Sequence, residues 1–97
     1  MSPFARDAPV LTMGQVSDLL GVQQAFLRRL DAHDVVSPAR SAGGQRRYSG
    51  DDVDRLRTVV ALVDDGLTLP GVARVLALQA EVDALRAEVA RLTRAQG

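Results

Sequence analysis

The sequence predicts a mainly α-helical fold with one small β-hairpin and a terminal coiled-coil helix. Three observations carry that expectation. Apolar residues recur at helical spacing in four stretches between Val16 and Leu92. Thr12, Ser49 and Thr68, residue types that cap helix N-termini, stand immediately ahead of three of them. A glycine pair, Gly43-Gly44, lies between two short runs of strand character. With 97 residues the chain has room for one small domain around one core.

Residues 1–10 hold two prolines and no periodicity, and are expected to form a flexible arm. Thr12-Met-Gly-Gln15 is a capping box: the Thr12 hydroxyl can accept from the Gln15 amide while the Gln15 side chain reaches back. Leu11 and Val16 occupy the two staple positions around that cap. Val16, Leu19 and Leu20 then give one apolar face, and Gly21 ends the helix. After Gly21-Val22 a second helix runs from Gln23 to about Ala32, turning Val22, Phe26, Leu27 and Leu30 inward. Two short helices about a glycine turn fit a helix-turn-helix and fit any small α-hairpin equally well.

Val35–Arg40 and Gln45–Tyr48 flank the Gly-Gly turn and predict a β-hairpin, against the plainer alternative of a flexible loop. Pro38 cannot donate to a central ladder, so the ribbon is expected at an open edge, with Arg40, Arg46 and Arg47 projecting from it. Ser49 caps a third helix with Asp52 at its third position and Tyr48/Val53 as staple. Val53, Leu56, Val60 and Val63 line its apolar face until Asp64-Asp65-Gly66. Thr68 caps a fourth helix, with Leu67/Val72 as staple and Pro70 in the first turn, where a missing amide costs nothing. Beyond it Val75, Leu78, Val82, Leu85, Val89 and Leu92 alternate in steps of three and four, the a/d seam of a coiled coil. So narrow a stripe suits an identical partner, a homodimer, better than a fold back onto the same chain. The expected division is a helix-turn-helix and hairpin unit over 11–66 and, over 67–97, a short helix plus a coiled-coil dimerisation helix. The sequence leaves open whether these two helices are continuous or break near Ala77–Ala80.

Charge is informative only by segment. The formal net charge is zero, which removes the simplest signal for a polyanion partner. Yet Phe26–Gly50 holds five arginines (28, 29, 40, 46, 47) against Asp31 and Asp34, and the next helix reverses the balance. That asymmetry is expected if one face meets a polyanion. All 12 basic residues are arginine, which suits bidentate phosphate contact better than lysine does. With no cysteine, disulfides, thiolate–metal sites and thiol redox chemistry are excluded, and a reducing cytoplasm fits. No apolar run approaches the roughly 20 residues of a membrane span, and the N-terminus lacks a signal-peptide core. A soluble cytoplasmic protein without membrane contact is expected.

An enzyme is not expected. His33 is the single histidine and has no companion base or ligand cluster. The neighbouring carboxylates Asp51/Asp52 and Asp64/Asp65 point apart on a helix, and Gly43-Gly44 is followed by no phosphate-cradling register. No catalytic residue, metal or cofactor is assigned.

The order of these parts resembles the DNA-binding module of the MerR family of winged-helix regulators, and within it the heat-shock repressors of the HspR type. The resemblance covers Leu11 to about Leu92. It is carried by Thr12-Met-Gly-Gln-Val-Ser17, by Gly21-Val22 leading into Leu27-Arg-Arg-Leu-Asp31, by Val36-Ser-Pro-Ala-Arg40, by Gly44-Gln-Arg-Arg-Tyr-Ser49 and by Asp52-Val53. It implies a winged helix-turn-helix whose second helix enters the major groove and whose wing meets the adjacent backbone. It also implies a homodimer on a palindromic operator. Arg28 matches the family's recognition-helix arginine, Arg46 the wing arginine that meets phosphate, and Tyr48 the aromatic that closes the wing. Gln23 and Phe26 depart from the Ser or Thr frequent at those positions, and neither Arg29 nor Leu30 is the frequent tyrosine. No effector domain is expected beyond the coiled coil, and on that expectation repression or an architectural role is favoured over ligand sensing.

On this reading Gln23 and Gln24 face base edges, where glutamine can bond adenine in bidentate fashion. Arg28, Arg29, Arg40, Arg46 and Arg47 contact phosphate, with Tyr48 completing the DNA-binding set. A different class stays in view. The C-terminal half, from Leu69-Pro-Gly-Val-Ala to Leu92, is also similar to small chaperone modulators of the CbpM type, which bind a DnaJ-like co-chaperone. The partner would then be a chaperone or other regulatory protein. The arginine-rich hairpin discriminates between them, because a purely protein-binding module has no evident use for it.

Overall fold

The computed structural model describes residues 5–97. Four helices and three short strands follow one another as β1 (Leu11–Thr12), α1 (Met13–Leu20), α2 (Gln24–Ala32), β2 (Ala39–Arg40), β3 (Arg46–Tyr48), α3 (Gly50–Asp64) and α4 (Leu69–Gln96). The mainly helical class is as the sequence predicts.

Both capping boxes form. Thr12 Oγ1 accepts from the Gln15 amide at 3.1 Å and Gln15 Oε1 from the Thr12 amide at 2.9 Å. Ser49 and Asp52 make the same reciprocal pair at 3.0 and 2.9 Å. Gly21 ends α1 in the left-handed region (φ 67°), which glycine enters without a Cβ clash. The turn into α2 is then pinned by the Ser17 hydroxyl, which donates to the Val22 carbonyl at 2.5 Å. After α2 the chain reverses through Asp34 (φ 55°), with the Val35 amide returning to the Leu30 carbonyl at 2.8 Å.

One element was not foreseen. β1 pairs antiparallel with β3, Leu11 opposite Tyr48 and Thr12 opposite Arg47. β3 pairs on its other side with β2, Ala39 opposite Arg47 and Arg40 opposite Arg46. The sheet order is therefore β1-β3-β2. Only β2 is the open edge expected of the hairpin; β3 is central. Pro38 lies just ahead of β2, so its missing amide takes nothing from the ladder.

The core is contributed by every helix: Val16 from α1, Leu27 and Leu30 from α2, Val53, Leu56 and Val59 from α3, and Val72 from α4, joined by Val36 and Tyr48. Leu19, expected on the inner face of α1, is exposed. On α3 the fully buried valine is Val59, with Val60 half-buried beside it. Within the expected flexible arm Arg6 is tied to α3; residues 1–4 of that arm lie outside the described residues. The Arg6 carbonyl accepts from the Asp51 amide at 3.1 Å. The Arg6 guanidinium pairs with Asp51 at 3.4 Å and also with Asp54.

The fourth and fifth helices of the sequence reading are one. α4 runs unbroken for 28 residues, about 42 Å at the helical rise. Val72 and Leu76 dock its first turns onto the core. From Glu81 onward every residue is exposed, so the rest projects beyond the domain.

Candidate nucleic-acid interface

The helix-turn-helix and the hairpin enclose one cleft of about 500 Å³. Its floor is the N-terminal end of α1 (Thr12, Met13, Gly14). One wall is α2 (Gln24, Arg28) and the other the hairpin (Arg40, Gly44, Gln45, Arg46, Arg47). Gln24 and Arg28 share a face because they are one turn apart, and Arg28 Nη2 donates to Gln24 Oε1 at 3.5 Å. Leu27 and Leu30, buried on the opposite face, fix which side of α2 turns outward. Four of the lining residues are arginines and none is a carboxylate. The cleft is thus a concave, positively charged surface rich in donors, which suits a polyanionic backbone.

The hairpin holds its shape through backbone bonds. The Ser41 amide donates to the Gln45 carbonyl at 2.7 Å and the Gly44 amide to the Ser41 carbonyl at 2.8 Å. Gly44 takes φ 80°, a conformation strained for any side chain with a Cβ. Arg47 folds back along its own strand, its Nη1 donating to the Arg46 carbonyl and its Nη2 to Gln45 Oε1, both at 3.1 Å.

Of the eight residues assigned to DNA from sequence, the cleft gathers Gln24, Arg28, Arg40, Arg46 and Arg47. Gln23 lies elsewhere, against an apolar groove lined by Val22, Phe26, Val60 and Val63. Arg29 is exposed on α2 but outside the cleft, since the next residue turns about 100° around the helix. Tyr48 is corrected outright. It is 0% exposed, sits in the hydrophobic core beneath the hairpin, and cannot touch a ligand. Among the described residues its hydroxyl has no hydrogen-bond partner. Burial pushes its pKa up, only partly opposed by the Arg46 guanidinium.

Arg46 is corrected in part. Expected to project freely, it is instead three-quarters buried, and its Nε donates to Asp31 Oδ2 at 2.7 Å. The same oxygen receives Arg40 Nη2 at 3.3 Å. Asp31 was missed as a site residue because an acidic side chain in a basic segment reads as ordinary helix surface. Thr12, Met13 and Gly14 were missed for a similar reason, since their capping role already accounts for them.

The expected dimer seam is laid bare along α4. Val75 is half-buried, while Leu78, Val82, Leu85, Val89 and Leu92 are 39–61% exposed. Val82, Leu85 and Val89 line a shallow apolar depression. These residues lie on a different face from Val72 and Leu76, so the helix has one face for its own domain and another left open. Among the described residues no group of His, Cys, Asp or Glu could hold a metal ion, and no helix is long and apolar enough to cross a membrane. His33 is an exposed C-cap of α2.

The profile of the MerR HTH family of regulatory proteins matches residues 11–79. A Streptomyces coelicolor protein described as "Putative heat shock protein HspR" is 39% identical over 93 residues, covering 95% of this chain and 62% of the relative. The HTH-type transcriptional regulator GlnR of Bacillus anthracis is 35% identical over 79 residues, covering 81% of this chain and 61% of that protein. This chain therefore spans about three-fifths of the length of these curated relatives. Among solved structures, the N-terminus of MtaN, the Bacillus subtilis multidrug transporter activator, superposes with a TM-score of 0.64 at 25% identity, covering 86% of this chain and 88% of that one. HiNmlR, a MerR family regulator lacking the sensor domain and bound to promoter DNA, shares the fold at a TM-score of 0.62 and 18% identity, over 87% of this chain and 79% of its own.

Proposed function

The chain belongs to the MerR HTH family of regulatory proteins, and from that premise we propose that it is a transcriptional regulator that binds duplex DNA as a homodimer. The observation that carries this reading is the cleft between α2 and the hairpin, lined by Arg28, Arg40, Arg46 and Arg47 with no carboxylate on its walls. Gln24, at the first turn of α2, stands where a recognition helix meets base edges, and its amide can bond adenine. Arg28, Arg40 and Arg47 supply phosphate contacts, which set register without reading sequence. Two protomers joined along the α4 seam by a two-fold axis would present two such clefts, and the matching operator is an inverted repeat.

The role is the control of transcription, exercised in the cytoplasm. Reading the chain as a chaperone modulator leaves the arginine-lined cleft without a purpose. Nothing in the arrangement favours that reading over duplex binding.

Titration of a labelled duplex at increasing salt tests the proposal. Three phosphate contacts per protomer make about six per dimer, so affinity should fall roughly 10³-fold between 50 and 200 mM salt. An Arg28→Ala/Arg47→Ala variant should bind far more weakly at every salt concentration. Equal binding by both proteins, or association indifferent to salt, would refute the assignment.

A further inference from the structure

We propose that Asp31 is a positioning residue for duplex binding: its carboxylate clamps the hairpin onto α2 through Arg46 and holds Arg40 ready for release to a phosphate. The inference rests on the duplex-binding reading above and adds to it a residue that touches no DNA.

Gln24, Arg28 and Asp31 follow one another at steps of four and three, so they share one face of α2. The first two line the cleft and the third lies one turn deeper, against the hairpin. Asp31 Oδ2 takes both guanidinium groups but not equally. The bond to Arg46 Nε is short, 2.7 Å, between side chains 25% and 15% exposed. The bond to Arg40 Nη2 is 3.3 Å, and the Arg40 side chain is 51% exposed. A well-shielded pair fixes geometry, because neither partner is readily replaced by water. An exposed, longer pair is worth little and exchanges easily. Arg40 keeps a second anchor, its Nη1 donating to the Gly44 carbonyl at 3.2 Å. It can therefore leave the carboxylate for a phosphate oxygen without losing its place on the hairpin, and the charge-assisted bond it forms there is at least as strong. One carboxylate against two guanidiniums leaves a surplus positive charge in the cleft.

Electrostatics and positioning predict opposite signs for Asp31→Asn. If the carboxylate merely repels DNA, its removal adds positive charge and tightens binding. If it positions the hairpin, its removal loosens Arg40 and Arg46 and weakens binding. The experiment is duplex titration of the wild type, Asp31→Asn and Asp31→Glu, with amide hydrogen exchange on the free proteins at Ser41 and Gly44. The proposal expects about tenfold weaker binding for Asp31→Asn. It also expects faster exchange at the two hairpin amides while α1–α3 stay protected, and recovery of both properties in Asp31→Glu. Should Asp31→Asn be too unstable to titrate, Arg46→Gln, which opens the clamp from the other side, must show the same loss of hairpin protection and of affinity. Binding by Asp31→Asn as tight as wild type, or a hairpin whose protection ignores both substitutions, would overturn the clamp. A wild type that ignores duplex DNA would instead bring down the underlying assignment, a different and recognisable result.

Discussion

Replacing Tyr48 by phenylalanine should make this protein more stable and resistant to alkali, without weakening its hold on DNA. The residue is fully buried and its hydroxyl has no partner among the described residues. An unsatisfied buried polar group costs about 1–3 kcal/mol, so its removal should gain about 1 kcal/mol or more. In a domain of this size that raises the melting temperature by roughly 4–8 °C. Burial holds the phenol pKa above its ordinary value of 10.0. Above pH 10 the unfolded chain therefore releases the proton more readily than the folded one. The unfolded state binds fewer protons there, and stability must fall as pH rises. It is fully present below the unfolded pKa and is lost progressively toward the folded pKa, at up to about 1.4 kcal/mol per pH unit. The sequence contains no lysine and no cysteine, so no other side chain titrates between histidine and arginine. The α-amino group ordinarily titrates at about 8, so the slope above pH 10 belongs to Tyr48. Urea unfolding from pH 8 to 11, followed by circular dichroism, should show the slope in wild type and a flat line in Tyr48→Phe. A variant as alkali-labile as wild type, or one stable but tenfold weaker on DNA, would refute the placement of this side chain in the core.

Charges placed in the seam should separate the subunits. Leu85→Asp/Val89→Asp puts unpaired carboxylates where α4 is apolar, at about 3 kcal/mol or more of association energy, and sedimentation should then find monomers; surviving dimers would point to another interface. Arg28→Ala removes two phosphate contacts per dimer and should lower the slope of log affinity against log salt by about 1.8. Arg29→Ala, outside the cleft, should leave that slope unchanged; the reverse order would move the interface. Ser49→Ala breaks the capping box of α3 and should cost about 1 kcal/mol in urea unfolding, whereas an unchanged midpoint would show that the cap contributes nothing.

The helices were legible because each signal was local. Thr12-Met-Gly-Gln15 and Ser49 are caps within four residues, Gly21 marks its own stop, and the seam from Val75 to Leu92 is a spacing along one element. The missed pairings are products of distance. β1 is two residues long and its partners lie 35 and 37 positions away, so no periodicity could announce it. Its consequence, a central rather than an edge β3, followed unseen. The Asp31–Arg46 pair and the tie from Arg6 to α3 likewise join residues far apart in sequence. Tyr48 joins the DNA-binding set only because it matches the aromatic that closes the wing in the family the sequence resembles. Alternation along β3 turns Arg47 outward and Tyr48 inward, and the burial of Tyr48 shows which side the core took. Continuity of α4 was undecidable from the alanines at 77 and 80, which suit a helix interior and mark no stop.

The central claim is that two copies of this chain grip one duplex symmetrically. Selection of bound duplexes from a random-sequence pool tests it most directly, because half-site symmetry reports both the binding and the dimer. The account predicts enrichment of an inverted repeat whose half-sites are about one helical turn apart or a multiple of it. Recovery of unenriched sequence, or of a single asymmetric half-site, would contradict it.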